Sequence, residues 1–377
     1  MADPLGRRLP RPLHPGAWWL WAIGLAAAAS RTTNPLVLGL ILAAVGVVVA
    51  ARRTDAPWAL GFKVYLVLAL VVIVIRVVFR ALLDGQPGGE VLFTLPEVPL
   101  PEAAAGIRVG GPVTLEAVAA AFYDGLRLAT LLVCVGAANV LANPKRLLKA
   151  VPAALHEVGV AVTVALSVAP QLVESGQRVR AARRLRGEVG RRSRLLRQVA
   201  IPVMTDALDR SLLLAAGMDA RGYGRTAAVP ASVRRGTGVL LVGGLMGMAV
   251  GTYGLLDSTA PRWLGGPMLA GGVVAGWLGL VVAGRRVART RYRPDPWRTP
   301  EWLVAGSGLV TATVVVLVSV TDPLALTPSV QPLVWPALPV LPAVGVAIGA
   351  GPAWLAPPAR SRHAARPLPS HPAEALA

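Results

Sequence analysis

Two basic helical stretches that each end in an arginine followed by a glycine carry the residues of this chain best suited to specific chemistry. Arg186 precedes Gly187, and Arg221 precedes Gly222 in the triplet Ala220-Arg221-Gly222. A glycine after the last turn can adopt a left-handed cap, and the preceding arginine then lies at the negative end of the helix dipole. A guanidinium exposed there can make charge-assisted hydrogen bonds. The two helix ends predict a surface that docks onto two equivalent acidic sites of a partner.

The helices that position these arginines lie in one long polar segment. Its apolar residues follow helical spacing with little of the alternation typical of strands, so we predict a helical cytosolic module over residues 142–237. One helix leaves Pro170, and the next carries an apolar stripe that Arg221 continues. Such amphipathic helices suit either the membrane interface or a groove on another protein.

The composition is typical of a polytopic helical membrane protein. Of 377 residues, 54% are hydrophobic and 15% are charged, and long apolar runs carry the hydrophobicity. A formal net charge of +19 could also fit a nucleic-acid binder, but the position of the charge argues against that class. Of 38 Lys and Arg residues, 17 lie in the polar segment and most others lie in every second loop. This positive-inside pattern predicts that both termini are cytoplasmic.

Eight apolar segments are candidate membrane spans, and they predict an all-α helical bundle. The first is short for a bilayer that needs about 20 residues, and the last contains three prolines, so seven spans or a broken helix also fit. We predict an N-terminal bundle (1–141), the cytosolic module, a C-terminal set of spans (238–357) and a disordered tail (358–377). The candidate spans are residues 17–29, 35–51, 59–79, 113–141, 238–256, 267–284, 302–320 and 334–356.

A stripe of glycines predicts a close contact between helices. Gly243, Gly247 and Gly251 recur at every fourth residue of the fifth span, and Gly272 and Gly276 repeat the pattern in the sixth. Small residues let the backbones of two helices approach each other within a membrane. Internal packing is the simpler interpretation, and an interface with a partner protein is the alternative.

Charged residues inside the fourth span form a second unusual set. Asp124 and Arg127 are three residues apart and can meet on one face of a helix, and charges at membrane depth are costly unless they are paired. We predict an internal ion pair that fixes packing. The alternative is a substrate or ion pathway, which would make the chain a self-contained secondary transporter.

The chain resembles a known family over roughly residues 14–256: the T component of energy-coupling factor (ECF) transporters, which includes the transmembrane subunit of the cobalt-type systems. The most specific match is the string from Ala216 to Gly224. In that family, two short motifs with a central arginine end the coupling helices, and their arginines seat in grooves of two ATP-binding-cassette (ABC) subunits. The supporting matches are Leu13-His14-Pro15, Asn34-Pro35-Leu36, Asn143-Pro144-Lys145-Arg146-Leu147-Leu148 and Pro170.

The resemblance gives each arginine an expected role. Ala220-Arg221-Gly222 matches the second motif, and Leu185-Arg186-Gly187 is the best match for the first. Arg183 and Arg184 compete with Arg186 for that role. The family pattern commonly ends with one span after the coupling helices, whereas three more follow here, and an extension of the fold is expected to account for them.

The resemblance implies a non-catalytic scaffold in a bacterial plasma membrane. Its partners would be the lipid bilayer, two ABC-type ATPase subunits and a small substrate-binding membrane protein, the S component, for uptake of a vitamin or a transition-metal ion. The sequence has no Gly-x-x-x-x-Gly-Lys-[Ser/Thr] phosphate loop and no His or Cys motif typical of a metal centre. We therefore expect no enzymatic activity, no cofactor and no bound metal, with ATP bound by the partner subunits.

Overall fold

The structure, a computed structural model of the chain, consists almost entirely of helices. This confirms the predicted class of all-α polytopic membrane protein. Within the described residues, one antiparallel hairpin of β1 (Val91–Val98) and β2 (Val109–Thr114) is the exception. The structure describes residues 12–54, 61–83, 89–98, 109–143, 146–148, 155–185, 192–222, 230–257, 259, 261, 264–284 and 297–358. The helices are α1 (Pro15–Ser30), α2 (Pro35–Arg52), α3 (Phe62–Leu83), α4 (Leu115–Leu141), α5 (His156–Leu185), α6 (Arg192–Ala220), α7 (Ala231–Leu256), α8 (Gly266–Gly284), α9 (Thr299–Thr321), α10 (Pro323–Leu326), α11 (Val340–Gly349) and α12 (Pro352–Leu355).

Seven of the described helices are long and apolar enough to cross a membrane. The sequence predicts eight spans, and the first and last of these fall on α1, with 16 residues, and α11, with 10 residues. Both helices are shorter than the roughly 20 residues that a bilayer needs. The prediction also places α5 in the cytosolic module, yet α5 contains an apolar stretch of 25 residues, Val158–Ala182. The seven helices are α2, α3, α4, α5, α7, α8 and α9.

Helix α5 is continuous through Pro170, whereas the sequence predicts a helix that begins after this proline. Proline has no backbone N–H group, so it forfeits one hydrogen bond and often ends or kinks a helix. Helices of membrane proteins tolerate it because neighbouring groups satisfy the freed carbonyl. The first half of α5 is apolar and the second half carries Arg178 and Arg180. At 1.5 Å per residue, its 30 residues extend about 45 Å.

The chain forms two compact units. The first combines Met1–Leu147 with Asp295–Ala377, and the second is Leu148–Pro294. The predicted division instead groups α7, α8, α9 and α11 into one C-terminal set of spans. In the structure, α9, α11 and α12 pack against the N-terminal helices α1 and α2. The helices beyond residue 295 therefore belong to the first unit.

A contact between α1 and α9 explains this arrangement. Gly24 of α1 lies against Gly308 of α9 so closely that a Cβ atom added to Gly308 would lie 2.5 Å from the carbonyl oxygen of Trp21. Glycine at both positions lets the two backbones touch. The fully buried Trp21 also donates its indole N–H to the carbonyl oxygen of Gly349 at 2.8 Å. The N-terminal helix thus depends on two elements from the end of the chain.

The turn before α2 also forms hydrogen bonds with the C-terminal segment. Asn34 is 1% exposed, and its side-chain oxygen caps α2 by accepting the N–H of Leu36 at 3.0 Å. Its amide nitrogen donates to the carbonyl oxygens of Ala325 at 3.1 Å and Ala337 at 2.8 Å. A buried amide needs such partners, so this motif of the family resemblance has a structural role in the first unit.

In the second unit, α7 packs against α8 through glycine residues of both helices. The contacting glycines of α7 are those of the predicted stripe except that Gly244 takes the place of Gly243. Gly247 and Gly251 are buried in the contact. Gly243 has nothing within 4 Å of its added Cβ, whereas a Cβ on Gly244 would lie 2.5 Å from the backbone nitrogen of Gly276. The cause is the helical repeat of 3.6 residues, because positions seven apart, such as 244 and 251, return to nearly the same face.

Candidate functional site

Helices α5 and α6 immediately precede the predicted docking arginines in the sequence, and the two helices meet near their middles. The hydroxyl of Ser175 donates to Oδ2 of Asp206 at 2.7 Å, and Nη1 of Arg210 donates to Oε1 of Gln171 at 3.3 Å. Arg210 also donates to Oδ1 of Asp206 at 3.1 Å, and Nη2 of Arg178 lies 3.8 Å from Oδ2. The pairing order makes the two helices antiparallel where they cross. We call these five side chains the polar clasp.

The electrostatics of the polar clasp centre on Asp206. The hydrogen bond from the Ser175 hydroxyl, followed by that from Arg210, holds the pKa of the Asp206 carboxyl below its usual value. A carboxyl with a lowered folded-state pKa stabilises the fold above its ordinary pKa of about 3.9. That stabilisation is lost as the pH falls through the lower folded value. The clasp is therefore complete at neutral pH and weakens only in acid.

We expect Asp206→Asn to loosen the hairpin of α5 and α6 at neutral pH. The amide keeps the size of the side chain but removes the negative charge that Arg178 and Arg210 contact. Hydrogen–deuterium exchange of peptides over residues 171–178 and 206–210 should accelerate several-fold at pH 7, because local opening becomes less costly. Asp209→Asn is the matched control, since Asp209 is exposed on the same helix. Equal exchange in the two variants would show that Asp206 does not hold the helices together.

The C-terminal end of α6 presents the second predicted docking arginine. The helix ends at Ala220, Arg221 is exposed, and Gly222 has φ +74°, in the left-handed region that favours glycine. The N–H groups of Arg221 and Gly222 donate to the carbonyl oxygens of Met218 at 3.1 Å and Asp219 at 2.9 Å. Hydrogen bonds thus fix the backbone at Arg221 and leave its side chain accessible.

The first predicted motif falls at the edge of the described residues. Helix α5 ends at Leu185, which is 91% exposed. Arg186 and Gly187 follow it and lie outside the described residues. Arg183 and Arg184 belong to the last turn of α5, but their side chains are likewise outside the described part. The choice among the three arginines stays a prediction.

Helix α6 also has an exposed apolar face. Ile201, Met204, Leu208 and Leu212 follow one another at spacings of three or four residues, so they share one side of the helix. Each is at least 56% exposed. Contiguous exposed apolar surface marks contact with lipid or with another protein. Both uses predicted for the amphipathic helices are consistent with this face.

The two charged residues of the fourth predicted span both lie on α4 but do not meet. Arg127 donates to the backbone carbonyl oxygen of Ser30 and lines a pocket of about 290 Å³. Asp124 lines a different pocket of about 430 Å³, together with Arg76 and Arg80 of α3. Among the described residues no ion pair joins Asp124 to Arg127, because Arg127 has a carbonyl acceptor on a neighbouring helix. The two residues therefore line separate pockets.

Residues suited to holding a metal or cofactor are sparse. Cys134 is fully buried in α4. His14 caps α1, since its Nδ1 accepts the N–H of Gly16 at 3.1 Å, and its ring lies 5.1 Å from that of Trp297. Within the described residues, no group of three or more His, Cys, Asp or Glu side chains is placed to hold a metal ion.

Comparison with known proteins gives this arrangement a family. The model of the CbiQ family, described as cobalt transport protein, matches residues 6–230, which is more than half of the chain. The match covers α1 to α6, including the polar clasp and Ala220-Arg221-Gly222, and it ends just before α7. No curated protein matches the sequence. With its multi-pass helical structure, the chain is a membrane component of a transporter and belongs to the CbiQ family of cobalt transport proteins, the family of ECF transporter T components.

Proposed function

We propose that this chain is the energy-coupling scaffold of an ECF-type importer. It would transmit ATP-driven motion of two cytosolic ABC ATPase subunits to a separate substrate-binding membrane protein. The cargo would be cobalt, another transition-metal ion or a vitamin. The observation that carries the proposal is Arg221, an exposed arginine at a helix end whose backbone is fixed by hydrogen bonds. ATP would be bound by the ATPase subunits and not by this chain.

The hairpin of α5 and α6 has the mechanical properties that coupling needs. An arginine at the end of α6 can make charge-assisted, bidentate contacts with carboxylates of an ATPase groove. The polar clasp joins α6 to α5 near their middles, so displacement of one helix is transmitted to the other. Helix α5 then continues without interruption into its apolar half. A force applied at the arginine would thus reach a membrane-compatible segment through two helices.

The loop charges support a cytoplasmic location for the two docking arginines, in a bacterial plasma membrane. Arginine is concentrated before α1, directly after α2, between α8 and α9, and in the tail. Such an excess of basic residues marks the cytoplasmic side of a membrane protein. The same side would hold Arg221 and Arg186, where cytosolic ATPase subunits could reach them.

Charge reversal at the two docking positions tests the proposal. We expect Arg221→Glu to reduce recovery of co-expressed ABC ATPase subunits with the affinity-tagged chain about tenfold or more, because one charge-assisted contact becomes a like-charge contact. Arg186→Glu tests the first motif in the same way. The double variant should abolish ATP-dependent uptake in vesicles that contain the complete transporter.

Arg234→Glu is the matched control, since Arg234 is exposed on α7 and loses the same charge. Its ATPase recovery should equal that of the wild type. Size-exclusion chromatography of each variant in detergent checks that the fold persists. Unchanged ATPase recovery and uptake in the double variant would contradict the proposed coupling role.

A further inference from the structure

The pocket that Arg127 lines lies in the first unit, at the end of α1 away from the N-terminus, and apart from the hairpin with the proposed coupling role. Its volume is about 290 Å³, near the lower limit of sites that bind small molecules. Arg31 is the second arginine of the lining, and none of the described lining residues is acidic. The others all carry hydroxyl groups: Ser30, Thr32, Thr33, Ser319 and Thr327.

A difference in length between α1 and α4 creates this recess. Arg127 of α4 donates to the carbonyl oxygen of Ser30, the last residue of α1. Arg146, which follows α4, donates to the carbonyl oxygen of Leu13, which precedes α1, at 3.1 Å. The two helices therefore run antiparallel. The part of α4 before Arg127, residues 115–126, extends about 18 Å at 1.5 Å per residue, so it continues past the end of α1 and forms a wall of the pocket.

Neither arginine of the pocket is neutralised by a carboxylate. Within the described residues, the exposed side chain of Arg31 forms no hydrogen bond and no ion pair. Arg127 donates through Nη2 to Ser30 and forms no ion pair there either. A guanidinium group has five N–H donors. The two side chains therefore retain most of their donors for a ligand.

Two helix ends beside the pocket reduce its positive charge without cancelling it. Helix α1 ends at Ser30, and α9 ends at Thr321, two residues after Ser319 of the lining. The C-terminal end of a helix carries about half a negative charge. Two such ends offset roughly one of the two guanidinium charges, so an excess of about one positive charge remains. The pocket therefore suits an anion.

The turn after α1 holds the donors of the pocket in a fixed place. The hydroxyl of Thr32 and the backbone N–H of Thr33 both donate to the carbonyl oxygen of Leu326, at 2.8 and 3.0 Å. The hydroxyl of Thr33 forms no hydrogen bond within the described residues, so it can donate to a ligand. Guanidinium groups match the geometry of phosphate oxygens, and a hydroxyl group adds a third donor.

We propose that this pocket binds a phosphate group, which the guanidinium groups of Arg31 and Arg127 and the hydroxyl of Thr33 contact. Two sources share this chemistry: the headgroup of an anionic phospholipid and a soluble phosphate or phosphate ester. A bound phosphate connects the turn after α1 with α4, because the arginines belong to these two elements. Binding therefore stabilises the first unit.

The thermal unfolding temperature of the purified full-length chain in detergent tests this assignment. Inorganic phosphate is compared with sodium chloride of equal ionic strength, and phosphatidylglycerol with diacylglycerol that has the same acyl chains. We expect a phosphate-bearing probe to raise the unfolding temperature several degrees above its match, because a ligand of the folded state stabilises it. Stabilisation by phosphatidylglycerol alone would assign the site to a lipid headgroup. Stabilisation by inorganic phosphate would assign it to a soluble phosphate.

Arg31→Gln is the decisive variant, because this side chain makes no contact that the fold needs. It should raise the probe concentration for half-maximal stabilisation about tenfold or more, since a charge-assisted contact is lost. Arg53→Gln is the matched control, because Arg53 is exposed at the other end of α2 and loses the same charge. Ser319→Leu narrows the pocket at constant charge and should also weaken the response. The proposal is overturned if neither phosphate probe exceeds its match, or if Arg31→Gln responds like Arg53→Gln.

Discussion

Truncation after Pro294 is expected to leave no folded first unit, although the segment that matches the family, residues 6–230, stays complete. The deletion removes α9, α11 and α12, which pack against α1 and α2. Trp21 would lose the acceptor of its indole N–H, and the buried amide of Asn34 would lose both acceptors. Unsatisfied polar groups and lost backbone packing are costly inside a membrane, where water cannot replace the partners.

The measurement is the yield of monodisperse protein from detergent extracts, which should fall at least tenfold in the truncated chain. Truncation after Pro358 is the control, because it keeps every helix of the first unit and removes only the tail that the sequence predicts to be disordered. Its yield should match that of the full chain. A monodisperse protein from the chain that ends at Pro294 would show that α1 and α2 fold without the C-terminal helices.

The second large effect is expected from Gly244→Val. A Cβ at position 244 would lie 2.5 Å from the backbone nitrogen of Gly276, and a backbone atom cannot move aside as the end of a side chain can. Valine adds two methyl groups to that overlap, so α7 and α8 must separate. Overpacking of this kind costs about 1–3 kcal/mol and more where the backbone itself has to shift. Thermal inactivation in detergent should move to a temperature at least several degrees lower.

Gly243→Val provides the control from the neighbouring residue. The two variants have the same chemical change on the same helix, and Gly243 has nothing within 4 Å of its added Cβ. We expect its thermal stability to stay close to that of the wild type. If both variants lost stability equally, the helix itself and not its contact with α8 would be the cause.

Local chemistry in the sequence predicts one part of the candidate site, the helix end at Arg221 and Gly222. The Arg-Gly pair at 221 and 222 indicates both a helix end and a glycine able to adopt a left-handed conformation, because these properties depend on a few neighbouring residues. The polar clasp is different. Asp206 and Arg210 have the spacing of a pair within one helix, but nothing local indicates that Ser175, 31 residues earlier, completes it. Only the crossing of two helices brings these groups together.

The predicted helices differ from the structure in two situations. One is a long segment whose average composition hides an apolar part, and the other is a contact between residues that are far apart in the sequence. Because the second half of α5 is basic, the polar segment as a whole has the composition of a cytosolic region. The apolar first half of α5 is therefore not recognised from the sequence as a possible span. Arg127 is three residues from Asp124, yet it donates to Ser30 on another helix, because sequence spacing permits a contact without choosing among competing acceptors. The place of α9 in the first unit depends on Gly24 and Gly308, which lie about three quarters of the chain length apart.

The hydrogen bond from Trp21 to Gly349 cannot form until Gly349 has been synthesised, long after Trp21. The two residues are 328 positions apart, and ribosomes add about 5–20 residues per second, so roughly 15–65 s separate their appearance. For most of that interval α1 lacks α9, whose Gly308 lies against Gly24. The residues of the second unit lie between the two parts of the first unit in the sequence. The first unit can therefore be completed only after the second unit has been synthesised.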